Sequence, residues 1–382
     1  MKSVYRFFIG LLMVIIFPAA SHAYVSVGGD VSGQSWINTN TYYVESYIWV
    51  GDGSSLDIEE GTVIKFAPGT YLVVYGTLNA IGTAADQIVF TSRDDNSVGQ
   101  IIPGSDGIPA AGDWSSVYIY GAGYNAAGYV DYCHFKYGGS YAMGEYATLY
   151  YNSATAVGYV KNTTIERSYY AGLNLYGVSN VTVLNNSFLD NNSHGFQATY
   201  STVNASNCTM TGNGAAGIYF AYGSSNVTSC NVSNNNSHGI HMISGTYDMD
   251  ACQIENNNGW AARMEGVEVR GYSNNTASGN TYDAISLSGN VNMNLTMSSS
   301  AFGLPVVIEG LLNVESGSTL TIPPGEVIKL NLGNMYVYGT LKAIGTAENP
   351  IVFTSFKDDT YGGDLNGDGM VSAPAAGDWY TV

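Results

Sequence analysis

NNSFLDNNSHGFQA (185–198), NCTMTGNGAAGIYF (207–220), SCNVSNNNSHGIHM (229–242) and ACQIENNNGWAARM (251–264) begin 22 residues apart and share one layout. Cys208, Cys230 and Cys252 recur at that step, as do Asn191, Asn213, Asn235 and Asn257, Met210, Val232 and Ile254, and Gly195, Gly217 and Gly239. Several kinds of residue sharing one period of 22 exclude a helical heptad and indicate stacked structural repeats. Within each unit an alternating pair such as Cys230 and Val232 turns inward, an Asn-rich corner follows, and a second alternating strand succeeds it. One such unit cannot bury its apolar face alone, so coils must stack and pair edge to edge at about 4.8 Å. Residues 22 apart then form columns. The expectation is an all-β solenoid of parallel strands.

The columns account for the composition. Asparagine at a corner tolerates left-handed backbone, and stacked asparagines can bond one another along the axis. An inward column is expected to run Cys133, Thr163, Asn186, Cys208, Cys230, Cys252 and Asn274, all small. Stacked side chains point in parallel, so the cysteines are expected to be buried free thiols despite the short coil spacing. Export leaves a disulfide open as the alternative.

A longer repeat brackets the coils. LDIEEGTVIKF (56–66) returns as LTIPPGEVIKL (320–330), LNAIGTAADQIVFTS (78–92) as LKAIGTAENPIVFTS (341–355), and PAAGDW (109–114) as PAAGDW (374–379). We divide the chain into an export signal (1–23), a β-helix (24–307) and the start of a second framework copy (308–382), expected to be truncated. Within the β-helix lie a framework module at about 44–117 and regular coils at about 157–290. The signal rests on Lys2 and Arg6, the apolar run Phe7 to Phe17 and the small-residue site Ser21-His22-Ala23. That run is too short to span a bilayer, so a secreted or cell-surface protein without membrane insertion is expected, and a monomer.

The string G-T-L-x-A-I-G-T, then I-V-F-T-S, an acidic loop and G-D-W resembles the exported right-handed parallel β-helix proteins of bacteria, with their pectate-lyase-like coils. The resemblance covers the chain from about Val44 onward. It implies a right-handed parallel β-helix, in a family holding surface proteins as well as polysaccharide lyases and hydrolases.

The formal charge of −18 removes the basic footprint that nucleic acid or an anionic membrane would need. It suits divalent cations. Residues 364–369, DLNGDG, place carboxylate, amide and carboxylate at positions 1, 3 and 5 with glycine at 6, the front of a Ca²⁺ loop. Asp364, Asn366, Asp368 and the Met370 carbonyl are the expected ligands of a structural Ca²⁺. Position 12 is Ala375, so Asp358, Asp359 or Asp378 must complete the set.

A second constellation is the outward row Asn174, Gln197, Tyr219, His241 and Arg263, with Glu265 further along the same face. A polysaccharide lyase needs a base for the sugar C5 proton and a cation for the uronate. Tyr219 or His241 are the candidate bases and Arg263 the candidate cation, with Glu265 beside them; a solvated strand face of mixed polar residues is the plainer reading. The clustered Ca²⁺-binding Asp residues of the family's lyases, and the paired Asp and Gly-His-Gly run of its polygalacturonases, are missing. The tyrosines of 118–151 are expected to pack as a ladder rather than to stack on sugars. Coils 181–264 are nearly constant in length, with longer loops expected around 136–160 and 265–290. The functional expectation is therefore a non-catalytic scaffold binding glycan or matrix through its long face. A β-helix lyase or hydrolase and a structural spacer within a larger surface protein are the alternatives.

Overall fold

Alternation at three places in each 22-residue unit gives three short strands, and the computed structural model shows how they stack. It describes residues 24–140 and 146–382; the expected export signal lies outside them. Face 1 carries the strands Leu72–Val74, Val117–Tyr120, Ala147–Asn152, Ala171–Tyr176, Phe196–Thr199, Ile218–Ala221 and Ile240–Ile243. Face 2 includes Asn180–Leu184, Thr202–Ser206, Ser224–Thr228 and Thr246–Asp250, and face 3 Ser187–Leu189, Thr209–Thr211, Asn231–Ser233 and Gln253–Glu255. Every strand pairs in parallel with its counterpart in the next coil. The second framework copy continues the same stack through Val306–Val314, Val327–Val337 and Val352–Ser355.

One apolar core fills the tube. Phe188, Phe196, Met210, Ile218, Val232, Ile240, Met242 and Ile254 are fully buried. Aromatic rings stack coil on coil at the framework end, Phe66 on Trp114 at 4.2 Å and Phe90 on Phe135 at 4.4 Å. Cys208, Cys230 and Cys252 form the expected buried column, and all four cysteines are free thiols. Burial pushes the Cys133 thiol up, well away from the reactive thiolate.

The asparagine ladder is present and longer than expected. Nδ2 of Asn191, Asn213, Asn235 and Asn257 donates to Oδ1 of the next asparagine, ending on Asn280, at 2.8–3.0 Å. The same Oδ1 accepts a backbone N–H, and the same Nδ2 reaches a strand carbonyl such as Met210 O. The amide thus stands in for the ladder bonds that the corner interrupts. The left-handed residues are not these asparagines. They are the residues just before them, Asp190, Gly212, Asn234, Asn256 and Gly279, because the ladder side chain must point inward. Left-handed single residues also make the other two corners, at Asn185, Asn207, Ser229, Ala251 and Asn274, and at Gly177, Tyr200, Tyr222, Ser244 and Gly266.

Two further expectations are corrected. The inward column closes on Asn275, whose Oδ1 accepts the Cys252 N–H, while Asn274 is the exposed corner residue. The cause is a bulge: Tyr247 pairs with Val269 but Met249 with Tyr272, so one residue is added before the column. Nor is 265–290 a long loop, since it is mostly the strands Trp260–Ser273 and Tyr282–Val291. A long excursion lies instead at 93–116 in the framework, and much of the loop expected around 136–160 is the strands Ala147–Asn152 and Val157–Lys161.

Candidate functional site

Face 1 has two outward positions per strand. Through the register, Asn174, Gln197, Tyr219, His241 and Arg263 form the expected row, which continues to Ser286. Inward neighbours on both sides, such as Ile240 and Met242 around His241, fix the outward direction of the row by burial.

The structure brings the four named residues together. His241 Nε2 lies 3.0 Å from Glu265 Oε1, and the Arg263 Nε donates to the same oxygen at 2.6 Å. Tyr219 meets His241 edge to face at 5.4 Å. Sequence reasoning missed Glu309, two coils on, which lies 3.7 Å from Arg263 and accepts from Ser286 and Asn331. It stands two 22-residue steps after Glu265, but the step between them is Leu287, so no column of carboxylates announces it.

These contacts set the electrostatics of the cluster. Arg263 faces two carboxylates, so its charge is already offset. Burial would raise Glu265, but the Arg263 charge and the hydrogen bonds from His241 and Arg263 outweigh it and hold the carboxyl low. Burial lowers His241 despite the Glu265 bond. Burial, with the Tyr222 and Glu265 charges, raises the Tyr219 phenol, the wrong direction for a base. Corners of a single left-handed residue, Tyr222, Ser244 and Gly266, flank these strands and leave no loop to wall off water.

His194 and His238 have a structural task. Their Nδ1 atoms accept the N–H of Ala216 (3.2 Å) and Trp260 (3.0 Å), each in the next coil. Burial holds both imidazoles at about 4, and the His241 charge adds to this. Asn174 is nearly buried. The tyrosines of 118–151 pack as expected: Tyr118 stacks on Tyr150 at 4.9 Å, and Tyr151 enters the core.

Around DLNGDG, ligand oxygens of Asp359, Asp364 and Asp368 lie within 4.8 Å of one another. Asp359 Oδ1 is buried without a hydrogen-bond partner. Asp364 accepts the N–H groups of Asp368 and Gly369. Asn366 spends its amide on Asp368 and Ser372, and Asp368 also accepts the Met370 N–H. Asp358 and Asp378 are engaged elsewhere, with Thr354 and with Lys357 and Ser355. Three carboxylates, one with an orphaned buried oxygen, fit a hard divalent cation. The buried ammonium of Lys329 offsets part of the charge.

A buried ion group was also missed. Lys136 Nζ lies 2.7 Å from Asp95 Oδ2, and Lys65, wholly buried, donates to Asp95 O at 2.7 Å. Burial would raise Asp95, but the bonds from Lys136, Ser97 and Thr91 hold it at about 2. The group ties framework to first coil and faces no groove of the row.

Comparison with known proteins places this architecture. The family described as right handed beta helix region matches residues 112–258. The Drosophila melanogaster protein bark beetle is 35% identical over 74 residues, 19% of this chain and 2% of that protein, so the chain spans only a small part of its length. Among solved structures, the periplasmic alginate epimerase AlgG aligns at a TM-score of 0.34 and 12% identity over 85% of this chain and 79% of that one. The A-module of the Azotobacter vinelandii mannuronan C-5 epimerase AlgE4 gives 0.32 and 13% over 87% and 90%. Likeness at this level concerns the stacked-coil architecture and nothing finer. Family match over residues 112–258, parallel register and column-forming repeat agree on a right-handed parallel β-helix, the architecture to which this chain is similar.

Proposed function

We propose that this chain is an exported, non-catalytic scaffold that binds polysaccharide along face 1. The observation that carries the reading is the state of the four-residue cluster. Its one cation is matched by two carboxylates, its phenol is shifted away from basicity, and tight corners leave it unwalled. Binding by hydrogen bonding and ring stacking along a row of amides, hydroxyls and aromatics needs none of what catalysis lacks here. Export is supported by the N-terminal sequence pattern. The test is co-sedimentation of the full chain with insoluble polysaccharides of several linkages; depletion from solution by at least one is expected, and no depletion by any would overturn the reading.

Calcium enters as a structural ion in the same proposal. Asp359, Asp364 and Asp368 would hold it, and it would neutralise the second framework's acidic loop.

A further inference from the structure

Resting on the glycan reading above, we propose that the groove lined by Tyr47, Trp49, Tyr71, Val73 and Tyr75 is a stacking subsite for uncharged pyranose rings of a polysaccharide. The groove encloses about 310 Å³ at the framework end of face 1. Tyr47 stacks beside Trp49 at 5.6 Å and 28°, and beside Tyr71 at 5.7 Å and 16°, so three rings form a nearly parallel platform. Tyr75 closes one side, backed by Tyr124 at 4.7 Å and Tyr120 at 5.6 Å.

Three observations select the ligand. The first is chemistry. Ring faces are electron-rich, and the C–H face of a pyranose is apolar and slightly positive, so the two stack; phenol hydroxyls at the rim meet the sugar's hydroxyls. Burial, with the neighbouring tyrosines, raises the Tyr75 phenol, which therefore stays a protonated donor. The second is charge. No lining residue is cationic, and the chain carries −18, so a polyuronate would meet repulsion with nothing to offset it. The third is position. Trp49 and Val73 share the register that leads to Gln197, Tyr219 and His241, but Tyr118, Tyr150 and Asn174 between them are buried, so the groove is a local subsite set apart from the exposed part of the row. Tyr47 is 54% exposed, so ring area is open to a ligand.

The test uses intrinsic fluorescence. Of the five tryptophans, Trp36, Trp114 and Trp260 are buried, leaving Trp49 and Trp379 to report solvent access. The full chain is titrated with soluble neutral oligosaccharides (β-1,4-glucan, α-1,4-glucan and β-1,4-mannan series) and with oligogalacturonate. At least one neutral series should shift the emission saturably and oligogalacturonate should not; the shift should vanish in Trp49→Phe. Calorimetry should show about tenfold weaker binding in Tyr47→Ala. Because Tyr47 is half exposed, Tyr47→Ala should fold with wild-type circular dichroism. Wild-type affinity in both Tyr47→Ala and Trp49→Ala, with neutral glycan still bound, would overturn the subsite and spare the glycan reading. No binding of any neutral glycan would overturn both. A concentration-dependent dimer abolished by Tyr47→Ala would assign the groove to a second copy and overturn the subsite as well.

Discussion

Replacing Asn235 removes more than one hydrogen bond. Its Oδ1 accepts the N–H and Nδ2 of Asn213, and its Nδ2 donates to Met210 O and Asn257 Oδ1. Asn235→Ala therefore strands a buried backbone N–H and a carbonyl in adjacent coils. Each orphan costs about 1–3 kcal/mol, so denaturant unfolding should show a loss of about 2–4 kcal/mol. Asn236, exposed one position on, should tolerate alanine within about 0.5 kcal/mol. The buried imidazoles give a pH signature. His194 and His238 sit at about 4, below the ordinary value of about 6.5, so the unfolded chain takes up protons first as pH falls. Their contribution is complete above about pH 6.5 and declines toward pH 4, on the order of 2 kcal/mol for each. Protonation also converts the Nδ1 acceptor into a donor facing the N–H of Ala216 or Trp260. Melting temperature should fall across that window, and His194→Gln with His238→Gln should flatten the profile.

At the scale of the element, what the sequence disclosed was what stacking forces to repeat. Cys208, Cys230 and Cys252 could be aligned because each column position must hold a similar volume, and the ladder asparagines because each needs its neighbour's amide. The left-handed residues beside them vary among Asp, Gly and Asn, since any of these accepts that backbone, so no single letter marks the position. The bulge at Tyr247–Met249 arises from pairing across coils and leaves no local signature, which is why Asn274 was taken for Asn275. Lys65 and Lys136 were passed over because a lysine reads as a surface residue until its carboxylate partner is seen. Glu309 escaped because Leu287, at the step between it and Glu265, interrupts the column. The acidic loop is an element whose motif was visible; the sequence offered Asp358, Asp359 and Asp378 beside it, and the fold groups Asp359 with Asp364 and Asp368. Calorimetric titration of the full chain with Ca²⁺ should show one binding event, lost in Asp364→Ala and in Asp368→Ala and weakened in Asp359→Asn. Binding that survives both alanine variants would remove the ion from this loop.

On the scale of the molecule, coils 181–264 are near-constant in length and share one polar and aromatic face, and among the described residues their single-residue corners raise no wall beside the cluster. Enzymes gather groups shifted toward their task and exclude water around them. Here burial moves Tyr219 away from basicity, and the carboxylates of Glu265 and Glu309 face Arg263. The central claim is that face 1 binds polysaccharide and leaves it intact. The direct measurement is prolonged incubation of the chain with pectate, alginate and neutral glycans at stoichiometric concentration, followed by assay for unsaturated sugar ends and new reducing ends. The account predicts polymer recovered at its starting length, with neither product above the protein-free control. Product formation that disappears in both Arg263→Ala and His241→Ala would contradict it and establish a lyase on this face.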